Sequence, residues 1–181
     1  SSSFQSSGTR VLKIANIQPM KISWEDESFV DEKYEALADY IVEKGDLVFA
    51  LTRPIINGGI KTAIADFEYI ALLNQRNAMF KGGKGITKQW QFYLMQNDLF
   101  VQEFAKYIDG TGQQPNISTK EISDIAIPLP PINIQDRITN YLNDKCNRID
   151  RVIEVTQKTI IRMVEYKKSL IYEVVTGKME V

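Results

Sequence analysis

Cations interleaved with amides are the chemistry this chain offers most plainly. Arg53, Lys61, Asn74, Gln75, Arg76, Lys81, Lys84 and Lys88, with Thr111, Gln113, Gln114 and Asn116, combine positive charge with hydrogen-bonding side chains. Arg and Lys suit guanine O6 and N7, and Asn and Gln suit adenine N6 and N7. Lysines and small hydroxyls suit phosphate oxygens. The same residue types also fill ordinary polar loops, and the 110–116 stretch reads equally well as a turn that caps the helix after it.

Catalytic alternatives fail on residues that are absent or misplaced. The 181 residues include no histidine, which removes Ser-His-Asp and Cys-His nucleophile schemes, imidazole metal sites and any histidine pH switch. Cys146 is the single cysteine, so an internal disulfide and a multi-thiolate zinc site are both excluded. Residues 81–88 (KGGKGITK) resemble part of a phosphate loop. Gly83-Lys84 is followed by Gly85, however, and the leading glycine falls at Ala78. Glu165-Tyr166-Lys167 spells the E-x-K of metal-dependent nucleases, but within a helical stretch and without a nearby partner aspartate. Leu129-Pro130-Pro131-Ile132 lacks the flanks of an amino-methyltransferase tetrapeptide. The expectation is a protein that is not an enzyme and takes neither metal nor cofactor.

The net charge of −1 conceals segregation. Residues 21–46 hold nine acids against three lysines, a local charge of −6, whereas residues 76–90 hold four cations and no acid. The acidic run reads as a solvated face. No apolar run approaches the length of a membrane span, and the start lacks a secretory signal. A cytoplasmic, membrane-free protein is expected.

The elements that must carry these side chains follow from pattern. Residues 1–9 are serine-rich and read as a flexible lead-in. Strands are predicted over 11–17, 45–51, 60–65, 69–80 and 125–129, with Asn57-Gly58-Gly59 as a hairpin turn. Thr87 predicts a helix cap, Asp98 a second helix start, and Ser118 with Glu121 a capping box. Trp90, Tyr93, Leu94, Leu99, Phe100, Phe104 and Ile108 read as helical core residues. Beyond Pro131, Asn133 reads as an N-cap and Gly177 as the C′ residue of one long helix. Two heptad rows run along it, Leu142, Ile149, Thr156, Met163, Leu170 and Cys146, Ile153, Ile160, Lys167, Val174. They alternate by four and three, the seam of a coiled coil. Lys167 and Thr156 on that seam would tune register, and Cys146 reads as a small apolar seam residue. The fold class expected is an α/β (α+β) head followed by a long C-terminal coiled-coil helix.

In order and spacing these segments resemble the DNA sequence-specificity subunits of Type I restriction–modification systems. The match is carried by Gly110-Thr-Gly-Gln-Gln-Pro-Asn-Ile-Ser118, Glu121-Ile-Ser-Asp-Ile-Ala-Ile-Pro-Leu-Pro-Pro131 and Gln135-Asp-Arg-Ile138. Gly45-Asp-Leu-Val-Phe-Ala-Leu-Thr52, Leu73-Asn-Gln-Arg76 and Ser169-Leu-Ile-Tyr-Glu-Val-Val-Thr-Gly-Lys178 support it.

The resemblance implies a target recognition domain over 1–131 that reads half of a bipartite double-stranded DNA site. It implies a conserved spacer helix over 132–181 that pairs with a counterpart and docks methyltransferase subunits. Through them it would join a translocase-nuclease restriction subunit. Base-reading candidates are Arg53, Gln75, Arg76, Lys84, Gln113, Gln114 and Asn116. The pairing seam is Leu142, Cys146, Ile149, Ile153, Ile160, Met163, Leu170 and Val174. A full family member carries two recognition domains and two spacer helices, so one of each implies either a C-terminal portion or a half-size subunit that pairs with a second copy. The rival reading is a coiled-coil interaction protein or anti-restriction adaptor, whose acidic 21–46 segment would imitate DNA.

Overall fold

Short β-branched and aromatic runs, punctuated by Asn and Gly, become short strands. The computed structural model describes residues 4–31, 38–109 and 115–180. The strands are β1 (Thr9–Leu12), β2 (Ile17–Gln18), β3 (Lys21–Ile22), β4 (Phe29–Val30), β5 (Ile41–Val42), β6 (Leu47–Ala50), β7 (Ile55–Ile56), β8 (Gly59–Ile60), β9 (Thr62–Ile64), β10 (Ala71–Leu73) and β11 (Asn77–Phe80). The helices are α1 (Lys88–Leu94), α2 (Asp98–Lys106), α3 (Thr119–Ser123) and α4 (Ile132–Val175). The chain divides into two units, Ser1–Asp136 and Arg137–Val181.

Two sheets organise the first unit. One has the order β4-β1-β10-β5, with β1 and β10 parallel and both outer pairings antiparallel. The other is antiparallel, β11-β6-β9. β6 is buried along its whole length, and alternation sends its residues to opposite faces. Leu47 and Phe49 join Phe92 and Met95 of α1, Phe104 of α2, and Ile117. Val48 joins Leu12, Val42 and Ala71 of the four-stranded sheet. Each large side chain buried this way contributes about 1.5–3 kcal/mol, so β6 is the strand around which both cores assemble.

Several expectations hold because their causes are local. Asn57 and Gly58 take positive φ (50° and 79°) between β7 and β8, the conformation of a two-residue hairpin turn. Thr87 accepts the Trp90 N–H, and Ser118 and Glu121 form the reciprocal capping box. The α4 terminus closes with Gly177 at φ 70°, its N–H on the Val174 carbonyl and Lys178 N–H on that of Glu173, a Schellman motif.

Other boundaries move. Residues 5–9 are not a loose lead-in: Gln5 N–H donates to Phe29 O at 2.8 Å and Thr9 opens β1. The 11–17 strand stops at Leu12 because buried Asn16 accepts the Lys13 N–H and donates to the Ser23 and Asp26 carbonyls. The 69–80 strand is two strands in different sheets, broken where Asn74 Oδ1 accepts the Arg76 N–H. Residues 125–129 form no strand: Pro128 lacks a ladder donor, and its carbonyl is taken by Trp90 Nε1 at 3.0 Å. Asn133 is not the N-cap, since α4 opens at Ile132 and the Pro131 carbonyl accepts from Ile134 and Gln135. Leu99 is 75% exposed and lies outside the core.

Candidate nucleic-acid interface

The strand ladder gathers three of the sequence's cations in one place. Beyond β6 the chain continues as Leu51-Thr52-Arg53, flanked on every side by main-chain bonds. Leu51 N–H donates to Arg76 O at 2.9 Å, Arg53 N–H to Pro115 O at 2.7 Å, and Ile117 N–H to Leu51 O at 2.9 Å. Lys61 is held on the neighbouring edge, its N–H on Pro54 O (2.7 Å) and its carbonyl accepting from Ala50 (3.0 Å). Arg53, Lys61 and Arg76 thereby line a single cleft of about 680 Å³, with Ile14, Ala15 and Ile55 among its apolar wall and Gln18 and Thr52 as neutral polar groups. Among the described residues no carboxylate lines it.

Arg53 sits at φ 47°, a left-handed conformation that non-glycine residues seldom adopt. The Pro115 hydrogen bond on one side and Pro54 on the other hold it there. Such strain clusters where geometry serves function. Lys61 is 6% exposed. Burial, and then the Arg53 guanidinium, lower its pKa from the ordinary lysine value.

The remaining candidates separate. Lys81 and Lys88 pair with Asp39 (3.5 Å) and Asp46 (2.6 Å) around a different concavity. Two of the four cations of the basic stretch are thus neutralised by acids of the 21–46 segment. Asp26 and Glu27 from that segment pair with Lys13 and Arg10. Lys84 is exposed at a glycine tip closed by the Gly83–Ile86 bridge. The Asn74 amide is occupied in shaping its turn, on which Gln75 is exposed. Asn116 is bridged to both Thr52 and Asp109. Thr111, Gln113 and Gln114 lie outside the described residues. Among the described residues no His/Cys/Asp/Glu group has metal-holding geometry, and no helix is long and apolar enough to cross a membrane.

Two features escaped the sequence reading. Gln135 is fully buried: its Oε1 accepts the Thr87 N–H at 2.9 Å, and its Nε2 donates to the Gly85 (2.6 Å) and Pro130 (2.8 Å) carbonyls. It fixes the α1 cap and the glycine tip to the first turn of α4. On α4 itself, the seam residues Ile149, Ile153, Ile160 and Met163 are exposed, but so are Ile161, Val164, Ile171 and Val175. That second set repeats by three, seven and four, one residue on from the first seam. It was visible in the sequence as a second period-3.5 pattern shifted by about 100°.

With the cleft, the sheets and the long helix described, the class of protein follows from comparison. The chain belongs to the family of the Type I restriction modification DNA specificity domain, whose profile matches residues 8–165. Among its relatives is the MjaVIII specificity subunit of Methanocaldococcus jannaschii, a Type I restriction enzyme subunit 38% identical over 99% of this chain and 42% of its own length. The EcoAI specificity subunit of Escherichia coli is 29% identical over 90% of this chain and 28% of its own length. This chain therefore spans less than half the length of either.

Solved structures agree on the fold. A chain from a study of complex assembly and conformational transition in a type I R-M system superposes with a TM-score of 0.66 at 16% identity, over 94% of this chain and 39% of that one. The HsdS subunit of Thermoanaerobacter tengcongensis gives 0.56 at 18% identity, over 83% and 33%.

Proposed function

We propose that this chain is a sequence-reading module of a Type I restriction–modification assembly. It recognises one half of a bipartite duplex site and leaves methylation and cleavage to partner subunits. The basic cleft, without a carboxylate among its described lining residues, on a chain of the specificity family, is the observation that carries this reading. Residues 1–131 act as the target recognition domain and residues 132–181 as the spacer helix. Gln75 and Asn116 supply further DNA contacts, Lys84 supplies one from its glycine tip, Thr111, Gln113 and Gln114 remain candidates, and Lys81 and Lys88 contribute through their partly neutralised charge.

The long helix pairs with a second recognition module, or a second copy of this chain, along the Leu142–Val174 seam. The second exposed row, Ile161 to Val175, supports a further helical partner, since one apolar stripe serves one neighbour. Methyltransferase subunits dock there and recruit the translocase-nuclease. The assembly works on cytoplasmic DNA.

The test reconstitutes the chain with cognate methyltransferase subunits. Methylation at a bipartite site, with duplex affinity falling steeply as salt rises, is the expected result. Affinity that stays flat from low to high salt overturns it.

A further inference from the structure

We infer that the basic cleft is a subsite for one backbone phosphate of duplex DNA, with Lys61 as its fixed cation and Arg53 and Arg76 at its rim. The inference rests on the DNA-binding reading above and deepens it, because it removes Arg53 and Arg76 from the base-reading set. Three observations carry it.

The first is charge without compensation. Among the described residues the cleft wall holds three cations and no carboxylate, and the missing counter-ion concerns Lys61. Lys61, at 6% exposure, has no ion-pair or hydrogen-bond partner for its ammonium among the described residues. The residue is buried as a whole while it lines the cleft, so its charge is partly desolvated with no counter-ion beside it, which favours an anion there. Lys81 and Lys88, by contrast, each have an acid. The unmet demand is for an anion from outside the chain.

The second is rigidity. Lys61 is bonded through both its N–H and its carbonyl, and Arg53 through its N–H to Pro115. Main-chain ladders on three sides set the cation spacing before any ligand arrives, which is what fixes register on a duplex.

The third is depth. Base edges lie recessed in a groove and are reached by side chains that protrude. Phosphates stand out from the duplex and enter a concavity. A lysine sunk in a cleft meets the second kind of group and not the first. The apolar wall of Ile14, Ala15 and Ile55 then faces the ester carbons on either side of that phosphate.

The test measures binding of the full chain, reconstituted with cognate methyltransferase subunits, to a pool of random-sequence duplexes over a range of NaCl concentrations, for wild type and Lys61→Met. The variant is expected to bind about tenfold more weakly at low salt, with the slope of log K against log[NaCl] shallower by about one and the sequences retained from the pool unchanged. An unchanged slope overturns the subsite while leaving the DNA-binding reading intact. Loss confined to sequences with one particular base also overturns it, as a base contact. If wild type fails to bind duplex at all, inorganic phosphate is titrated against the Lys61 Nζ resonance. A saturable shift then keeps the phosphate site and sinks the DNA reading, and no shift sinks both. Should Lys61→Met fail to fold, Arg76→Ala at the rim is read by the same slope.

Discussion

Lys61 is held at odds with the fold around it. Its folded-state pKa is lowered, first by burial and then by Arg53, whereas the unfolded chain titrates it as an ordinary lysine. Below the folded-state pKa the native state carries the full cost of the buried charge. As pH rises from there toward the unfolded value, the folded chain sheds its proton first, so stability increases across that alkaline window. Lys61→Met is therefore expected to stabilise the uncomplexed chain modestly at neutral pH and to flatten the alkaline rise. Urea unfolding at neutral and alkaline pH reads both, and a destabilised variant would mean that the ammonium is already paired. Gln135 behaves oppositely. Gln135→Leu strands the Thr87 N–H and the Gly85 and Pro130 carbonyls, at a cost of about 2–4 kcal/mol; a midpoint within error of wild type would contradict that role. The sequence named Lys61 as a candidate cation and Gln135 within a motif, but neither's burial could be read there, because a lysine or glutamine becomes buried only through neighbours that lie far along the chain.

Elements were legible where their determinants sit within one turn. The α3 capping box needs only Ser118 and Glu121. The Ser118 backbone N–H, then its hydroxyl, hold the Glu121 carboxyl below the usual carboxylate range. That contribution is present above the unfolded carboxylate pKa and disappears as pH falls through the folded one. Ser118→Ala is expected to cost about 1 kcal/mol, largely independent of pH, because the lost bond runs from the Glu121 N–H to the Ser118 hydroxyl while the backbone bond to the carboxylate is kept; a gap that closed in acid would assign the cost to the carboxylate instead. Strand limits were less legible. Apolar alternation runs past Leu12 and across Asn74, but a strand lasts only as long as a neighbour offers a ladder. Asn16 and Asn74 turn the chain away by satisfying main-chain groups locally, and β10 and β11 then enter different sheets.

For the whole molecule, the two rows on α4 predict separable losses. Ile153→Asp should abolish pairing along the first seam, read as a drop in solution mass. Val164→Asp should leave that mass unchanged and abolish retention of methyltransferase subunits on an affinity column. Loss of both by either variant would mean that one surface serves both partners.

Charge changes meaning at this scale too. The separation of −6 and +4 along the sequence is partly cancelled in space by Asp39–Lys81 and Asp46–Lys88, and Asp26 and Glu27 of the same acidic segment pair with Lys13 and Arg10. By itself the sequence determined the α1 and α3 caps and the Gly177 end of α4, the long α4 with its heptads, the exclusion of histidine chemistry and, through its motifs, the family. All of these rest on residue identity or on interactions within a few positions. Only the tertiary structure decided which cations act together. Arg53, Lys61 and Arg76 lie on separate segments, and the hydrogen bonds that align those segments around the end of β6 join residues distant in sequence. A linear charge pattern therefore could not distinguish the cleft's uncompensated lysine from those already paired.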